Sequence, residues 1–531
     1  MIPTKRHSSL MMIMLYCACL PLACMNYYVS SVDGDDTADG LTVSTSWKSM
    51  DKLNTAVLQP GDSVLFARGS HYEKTFYVLQ SGTAENPIVI SAYGDESLPA
   101  PAFTNKVFEQ DNFGNCIRVK GSHIIIENLY FHETTIYVDG NYVTDGGWAV
   151  WEMGALYLDK GSQHCIVRNN EFYDCPAAIR TYCEYSLITH NYIHDCNRVM
   201  KEWNWGPLGI WFGADNQEAS YNRIINYSAV DERIGWAGNS EGGADGGAFE
   251  VDDARYPKSN IHIHHNYTRD CQGFLEVTWT DVLQNPDYKD FKIHHNIADD
   301  YQTFTAVWQG KNFSIENNTI VRRKKNAVDW GVFNITGNDT KNYIRNNIIV
   351  TEQNIPIFNT GINTTSFPKN IIENNLYFAA SGTINLGKEG PGKSLVQGNP
   401  LFVNYAGALH PEDYVLQQGS PAVGKGQSLG YLLDFFNDPI PTDKTPDLGA
   451  IQRQDDANAL LGLTSEGVKI HRVNDTHILI QNQGFSNEAY IYNLSGMLEK
   501  TVSLQNGSNW IQMSNHQLHI VHVVGTKGRI I

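Results

Sequence analysis

Positive charge is scarce in this chain: 39 lysines and arginines stand against 57 aspartates and glutamates, a formal net charge of −18 over 531 residues. That balance argues against nucleic acid as a partner, because phosphate backbones are held by clustered cations. It also denies a polyanionic ligand long-range attraction unless a local basic strip or a metal ion supplies it. Past the first two dozen residues no apolar run is long enough to cross a bilayer. Nor is there a local signature of a serine or cysteine triad.

What is present is a phrase that returns nine times between residues 124 and 378, an apolar strand closed by asparagine, as in IIIENLYF, IVRNNEF, IHIHHNYT and IIENNLYF. The closing residues are Asn128, Asn170, Asn191, Asn222, Asn266, Asn296, Asn318, Asn347 and Asn375. Most spacings are 21 to 31 residues, and the two above 40 leave room for an extra coil or an inserted loop. Such a period, with short alternating strands in each repeat, predicts a solenoid. Asparagine tolerates the left-handed backbone of a tight corner and its amide can bond to the next copy, so a ladder of asparagines is expected. Cys175, Cys196 and Cys271 recur at one place in three repeats and are expected to pack in the core.

At the N-terminus Lys5 and Arg6 precede LMMIMLYCACLPLA, too short for a mature membrane helix. Residues 1–23 are therefore expected to be an export signal, making the protein secreted or surface-bound. PLAC resembles a lipoprotein signal, which would anchor Cys24, but Pro21 and Leu22 depart from the usual pattern. Trp47, Met50, Leu53 and Val57 follow helical spacing, predicting a helix over Ser46 to Val57 that covers the open end of the first coil.

This opening, together with NPLFVNYAGALHPEDYVLQQGSPAVGKG and PDLGAI further on, resembles secreted right-handed parallel β-helix proteins of the pectate-lyase-like superfamily. The resemblance implies an all-β solenoid over residues 24–455. Residues 460–531 alternate apolar and polar positions between Gly and Asn turns, predicting a small antiparallel β-sandwich. IYNLSGMLEKTVSL and VGTKGRII resemble C-terminal sorting domains of the Bacteroidetes outer-membrane secretion machinery. Gln517, Leu518 and His519 replace the usual glycine-tyrosine pair there, and a carbohydrate-binding or spacer sandwich is the alternative.

Alternation along the repeats turns Ile179, Ile210, Phe212, Phe249, Val251, Leu275, Val277 and Val307 inward. The outward face then presents Arg180, Trp211, Glu250 with Asp252, Glu276 with Thr278, and Trp308. Nine of eleven tryptophans lie in this stretch, between residues 148 and 330. Carboxyl groups flanked by aromatic planes are what glycoside hydrolysis requires, one acid to assist the leaving oxygen and one carboxylate to attack or to activate water. Coils rise by about 4.8 Å, so neighbouring carboxyls approach the ~5.5 Å of retaining enzymes and diagonal ones the ~6.5–9.5 Å of inverting enzymes. The glycines of GGADGGAFEVDDARY are expected to let a sugar approach the backbone.

DGGAFEVDD followed by GFLEVTW resembles β-helical glycoside hydrolases such as the xylosidase and fucosidase families on this fold. The resemblance implies Asp252 as nucleophile or base, Glu276 as acid, and Glu250 as a third carboxylate that tunes or replaces either. Arg180, Lys201, Trp203, Trp205, Trp211, Trp279 and Trp308 are candidates for substrate binding, with walls from loops 131–152, 197–208 and 228–247. The expected partner of this monomeric solenoid is a polysaccharide or oligosaccharide, and hydrolysis calls for no cofactor. Two other readings stay open. A polysaccharide lyase would use Arg180, Lys201 or Arg255 on a uronate, with Glu250, Asp252 and Asp253 holding Ca²⁺. A non-catalytic carbohydrate-binding solenoid would need the aromatics and not the acids. The pairs His264–His265 and His294–His295 read as repeat-position side chains rather than a zinc site.

Overall fold

The computed structural model describes residues 24–453, apart from 110–111, 136–142, 145–146, 199–205, 229, 232–234, 237–245, 252–257, 278–287, 309, 324–330, 337–340, 353 and 359–369, together with strands between 464 and 525. The segment read as an export signal lies outside the described residues.

Successive short strands feed three parallel sheets of 12, 12 and 11 strands, visited in turn, which is a parallel β-helix. The nine asparagine phrases are nine consecutive strands of the first sheet, from Ile124–Glu127 to Ile371–Glu373. Three earlier strands of that sheet, Asn26–Val29, Ser63–Ala67 and Ile88–Tyr93, lack the phrase. Strands on either side of both long spacings are direct neighbours, so these spacings hold insertions and not extra coils. Each insertion carries a short antiparallel pair, Val143–Thr144 with Gly147–Trp148 and Val230–Asp231 with Gly235–Trp236.

Eight of the nine asparagines form the expected ladder, buried at the corner between the first and second sheets. Each side-chain amide donates to the Oδ1 of the next copy at 3.0–3.1 Å, from Asn170 through Asn191, Asn222, Asn266, Asn296, Asn318 and Asn347 to Asn375. The left-handed backbone, however, belongs to the residue before each one: Asn169, His190, Tyr221, His265, His295, Asn317, Asn346 and Asn374 all have φ between 50 and 58°. Asn128 is itself left-handed at φ 62°, and in its coil Leu129 takes the buried place and donates its N–H to Asn170 Oδ1. Asparagine is therefore selected here for a buried amide that bonds in both directions, while the strained corner admits histidine and tyrosine.

The lumen is filled by one apolar cluster that includes every residue read as inward-facing. Cys175, Cys196 and Cys271 are free thiols in that cluster, as expected, but Tyr227 stands between the last two, paired with Cys196. At the N-terminal end the helix is one turn, Met50–Leu53, capped by the Ser49 side chain accepting from the Lys52 N–H. Trp47, Met50 and Leu53 close the core, but Val57 is 66 % exposed because the chain has already left the helix.

Residues 399–453 run back along the outside. Phe402, Tyr414, Leu416, Leu448 and Ile451 cover Tyr267, Ile297, Val321, Ile348, Val350 and Leu376 on the outer face of the second sheet. Buried Asp299 fixes this strap, accepting two bonds from Arg323 at 2.6 Å and one from the Tyr414 hydroxyl. The stacked corner residues are covered too, with His265 bonded to the Asp434 carbonyl at 2.9 Å and His294 and His295 packed on Tyr431. Within each histidine pair the Nδ1 atoms meet, at 2.8 Å for His264–His265 and 3.0 Å for His294–His295. A bonded Nδ1 pair is occupied within the repeat, in keeping with a repeat-position role.

The C-terminal strands form two antiparallel sheets, of four and three strands. Ile480 and Ile511 of one and Ala489 and Ile491 of the other share a small core, the expected β-sandwich.

Candidate functional site

The third sheet carries the candidate site on adjoining strands Leu156–Leu158, Ala177–Thr181, Leu208–Phe212, Gly247–Val251, Leu275–Val277, Thr305–Trp308 and Phe333–Thr336. Parallel register lines up one outward column: Arg118, Tyr157, Arg180, Trp211, Glu250, Glu276, Ala306 and Asn334, each opposite the next. Arg180, Trp211, Glu250 and Glu276 thus come together as their alternation predicts. Trp308 does not continue the column. It lies opposite Thr336, two residues further along its strand, and Ala306 takes the place next to Glu276. Loops of unequal length separate the coils, so register could not be counted from spacing.

A solvent-exposed column is what the alternation suggests, and that expectation is corrected. Arg180 exposes 0 % of its surface, Glu250 5 % and Glu276 9 %. Trp211 is buried as well, yet it lies outside the lumen cluster. These side chains point away from the core and are still shielded from water, so charge–charge interactions among them act in a medium less polar than bulk solvent.

The N-terminal half of the column is cationic and aromatic. Arg118 grips Asp159 through two bonds of 2.6 and 2.8 Å and Glu152 through one of 2.8 Å, and sits 4.5 Å over the Tyr157 ring. The Arg180 guanidinium carbon lies 3.4 Å from the centre of the Trp211 ring. Among the described residues, Nε, Nη1 and Nη2 of Arg180 and Nε1 of Trp211 meet no group in hydrogen-bonding geometry. Burial pulls Arg180 below the ordinary arginine range, opposed by the phenol of Tyr182, which comes within looser hydrogen-bonding reach of the guanidinium, by that of Tyr157 and by Glu152. Tyr182 packs against Tyr157 with ring centres 5.8 Å apart, and a Cβ on Gly213 would strike its ring. Beyond the acids, buried Asn334 keeps an unmatched Oδ1 among the described residues.

Sequence reading missed Tyr157, Tyr182, Arg118 and Asn334. Aligning GALYL with AAIRT would have placed Tyr157, but Tyr182 enters from beyond its strand and carries no periodic signal. Gly246 and Gly247, with φ of 110 and 139°, do not open the backbone to a ligand: a Cβ on Gly247 would lie 2.4 Å from the Gly273 carbonyl oxygen. They allow close approach of neighbouring coils instead. Asp252, Asp253 and Arg255, which follow Val251, and Lys201, Trp203, Trp205 and Trp279 lie outside the described residues, as does the side chain of Trp308. Among the described residues no cluster of three His, Cys, Asp or Glu side chains is arranged to hold a metal ion.

No family model matches the chain. Over 312 residues it is 40 % identical to a lacto-N-biosidase of Bifidobacterium longum subsp. longum, a match covering 58 % of this chain and 15 % of that protein. The chain thus spans about 15 % of the length of this curated relative. Among solved structures it is similar to a GH136 lacto-N-biosidase from Eubacterium ramulus, at 16 % identity and TM-score 0.37 over 70 % of this chain and 68 % of that one. Pectate lyase Pel9A gives 14 % and 0.45 over 81 % and 96 % of the two chains. DFA-IIIase from Arthrobacter chlorophenolicus A6 without its lid gives 11 % and 0.42 over 64 % and 86 %.

Proposed function

We propose that the protein is a glycoside hydrolase acting on an oligosaccharide or polysaccharide, with lacto-N-biosidase activity the first to test. The observation that carries this reading is the pairing of Glu250 with Glu276 on adjacent strands, both outward and both buried, with Trp211 opposite Glu250 on the other side. Backbone positions one strand apart are about 4.8 Å from each other, near the ~5–5.5 Å between carboxyls in retaining enzymes. Asp252, one residue beyond Val251, is the nucleophile or base of the reading and Glu276 the acid, with Glu250 tuning or replacing either. A partner one strand over and two residues along is about 8 Å away, within the ~6.5–9.5 Å of inverting enzymes. In either geometry one carboxyl protonates the departing oxygen while an ionised one attacks the anomeric carbon or takes a proton from water. Identity with a lacto-N-biosidase over 58 % of the chain supports the class of reaction.

The test is incubation of the purified chain with lacto-N-biose-containing oligosaccharides and with plant polysaccharides. Released reducing ends and the ultraviolet absorbance of a new C4–C5 double bond are recorded together. Reducing ends without absorbance, abolished in Glu276→Gln, support hydrolysis. Absorbance that grows with cleavage and is lost with a chelator supports the lyase reading and overturns this one. We also read residues 1–23 as an export signal, so the enzyme acts outside the cytoplasm; the N-terminus of protein recovered from its native host tests this.

A further inference from the structure

Arg180 is a buried cation to which no described carboxylate is bonded; the neutral phenol of Tyr182 is the group within hydrogen-bonding reach of it. The two acids nearest the same end of the column, Glu152 and Asp159, are bonded to Arg118. Below Arg180 lies the face of Trp211, whose indole N–H is likewise unmatched among the described residues, and beside it stand the phenols of Tyr157 and Tyr182. A guanidinium to which no described carboxylate bonds is costly in a dry site, and an anion that accepts its parallel N–H pair offsets that cost. Neutral hydroxyls satisfy the hydrogen bonds and leave the charge unbalanced.

We propose that Arg180, with the Trp211 face and the Tyr157 and Tyr182 phenols, forms a subsite for an anionic group on the glycan, a carboxylate or a sulfate. The subsite lies two strands, about 10 Å, from Glu250 along the column, which separates it from the reacting bond. It serves recognition and takes no part in bond cleavage. The proposal rests on the glycoside hydrolase reading for its enzymatic consequence, but binding at the subsite does not depend on it.

Three matched probes test the subsite: a neutral lacto-N-biose-containing oligosaccharide, its sulfate ester, and a derivative bearing a carboxylate sugar. Calorimetry on full-length Glu276→Gln measures binding without turnover, and kcat/KM is measured on the unaltered enzyme. Tighter binding of one or both acidic probes is expected, and the stronger of the two identifies the anion. Arg180→Met should lower the acidic-to-neutral ratio roughly tenfold to a hundredfold, through KM more than kcat. Arg180→Lys keeps the charge and loses the fork, so it should lower the ratio by less; it carries the test where Arg180→Met fails to fold. Equal binding of the three probes, or a ratio unchanged in either variant, overturns the subsite. Cleavage without acidic preference leaves hydrolysis standing and removes the subsite. Arg180-dependent acidic binding without cleavage does the reverse.

Discussion

Glu250 lies directly opposite Glu276 on the neighbouring coil, with Phe249 and Leu275 paired beside them and filling the lumen. Packing of the apolar partners therefore fixes the positions of both carboxyls. Replacing either carboxylate by its amide keeps the shape of the column and removes a group that the proposed hydrolysis would use for proton transfer.

Glu276→Gln and Asp252→Asn are each expected to reduce turnover by about 10²–10⁴-fold with little change in melting temperature. Glu250→Gln should have a smaller effect if Asp252 and Glu276 carry the reaction between them. Initial rates beside thermal denaturation separate loss of chemistry from loss of fold. Full activity of Glu276→Gln would remove it from the mechanism.

The asparagine ladder gives a stability prediction. Asn266 donates to the carbonyls of Ala219 and His264 and to Asn296 Oδ1, and accepts from the N–H and side-chain amide of Asn222. Asn266→Ala leaves several of these buried groups unmatched and should cost about 3 kcal/mol or more in urea denaturation. Asn128→Gly, at a left-handed corner outside the ladder, should change stability by less than about 1 kcal/mol.

Two groups give opposite dependences of stability on pH. Burial lowers His265 and His295, the latter to about 3, with neighbouring imidazoles adding to the effect. The folded state then binds fewer protons than the unfolded, so their contribution is complete above about 6.5 and is lost as pH falls. Asp300, bonded to Thr268 Oγ1 and the Cys271 N–H, is pushed up to about 7 by burial. The folded state there binds more protons, so stability is lost as pH rises from about 4 to 7. Asp300→Asn should therefore remove the alkaline loss and leave the acid loss in place, measured as melting temperature from pH 4.5 to 8.

The strap should come loose when Asp299 is removed. Asp299→Ala deprives Arg323 and Tyr414 of their shared acceptor, and breaking such a buried pair costs about 3–5 kcal/mol. Limited proteolysis should then cut first between residues 399 and 453, beside the apolar face that they cover. Resistance equal to that of the unaltered protein would show that the apolar contacts suffice.

The sequence by itself determined the number of asparagine coils, the alternation that separates Ile210 and Phe249 from Trp211 and Glu250, and the cluster of acids among tryptophans. These follow from a period of two along each strand and from repetition of one corner, both properties of near neighbours in the chain. Tertiary structure alone decided that Ala306 and not Trp308 follows Glu276, since coil-to-coil register depends on loops of unequal length. It decided that the corner strain falls one residue before each ladder asparagine, because a buried amide must bond to the coils on both sides. It also decided that Arg180 and the two glutamates are buried, because alternation along a strand tells inward from outward and does not tell whether an outward face is covered.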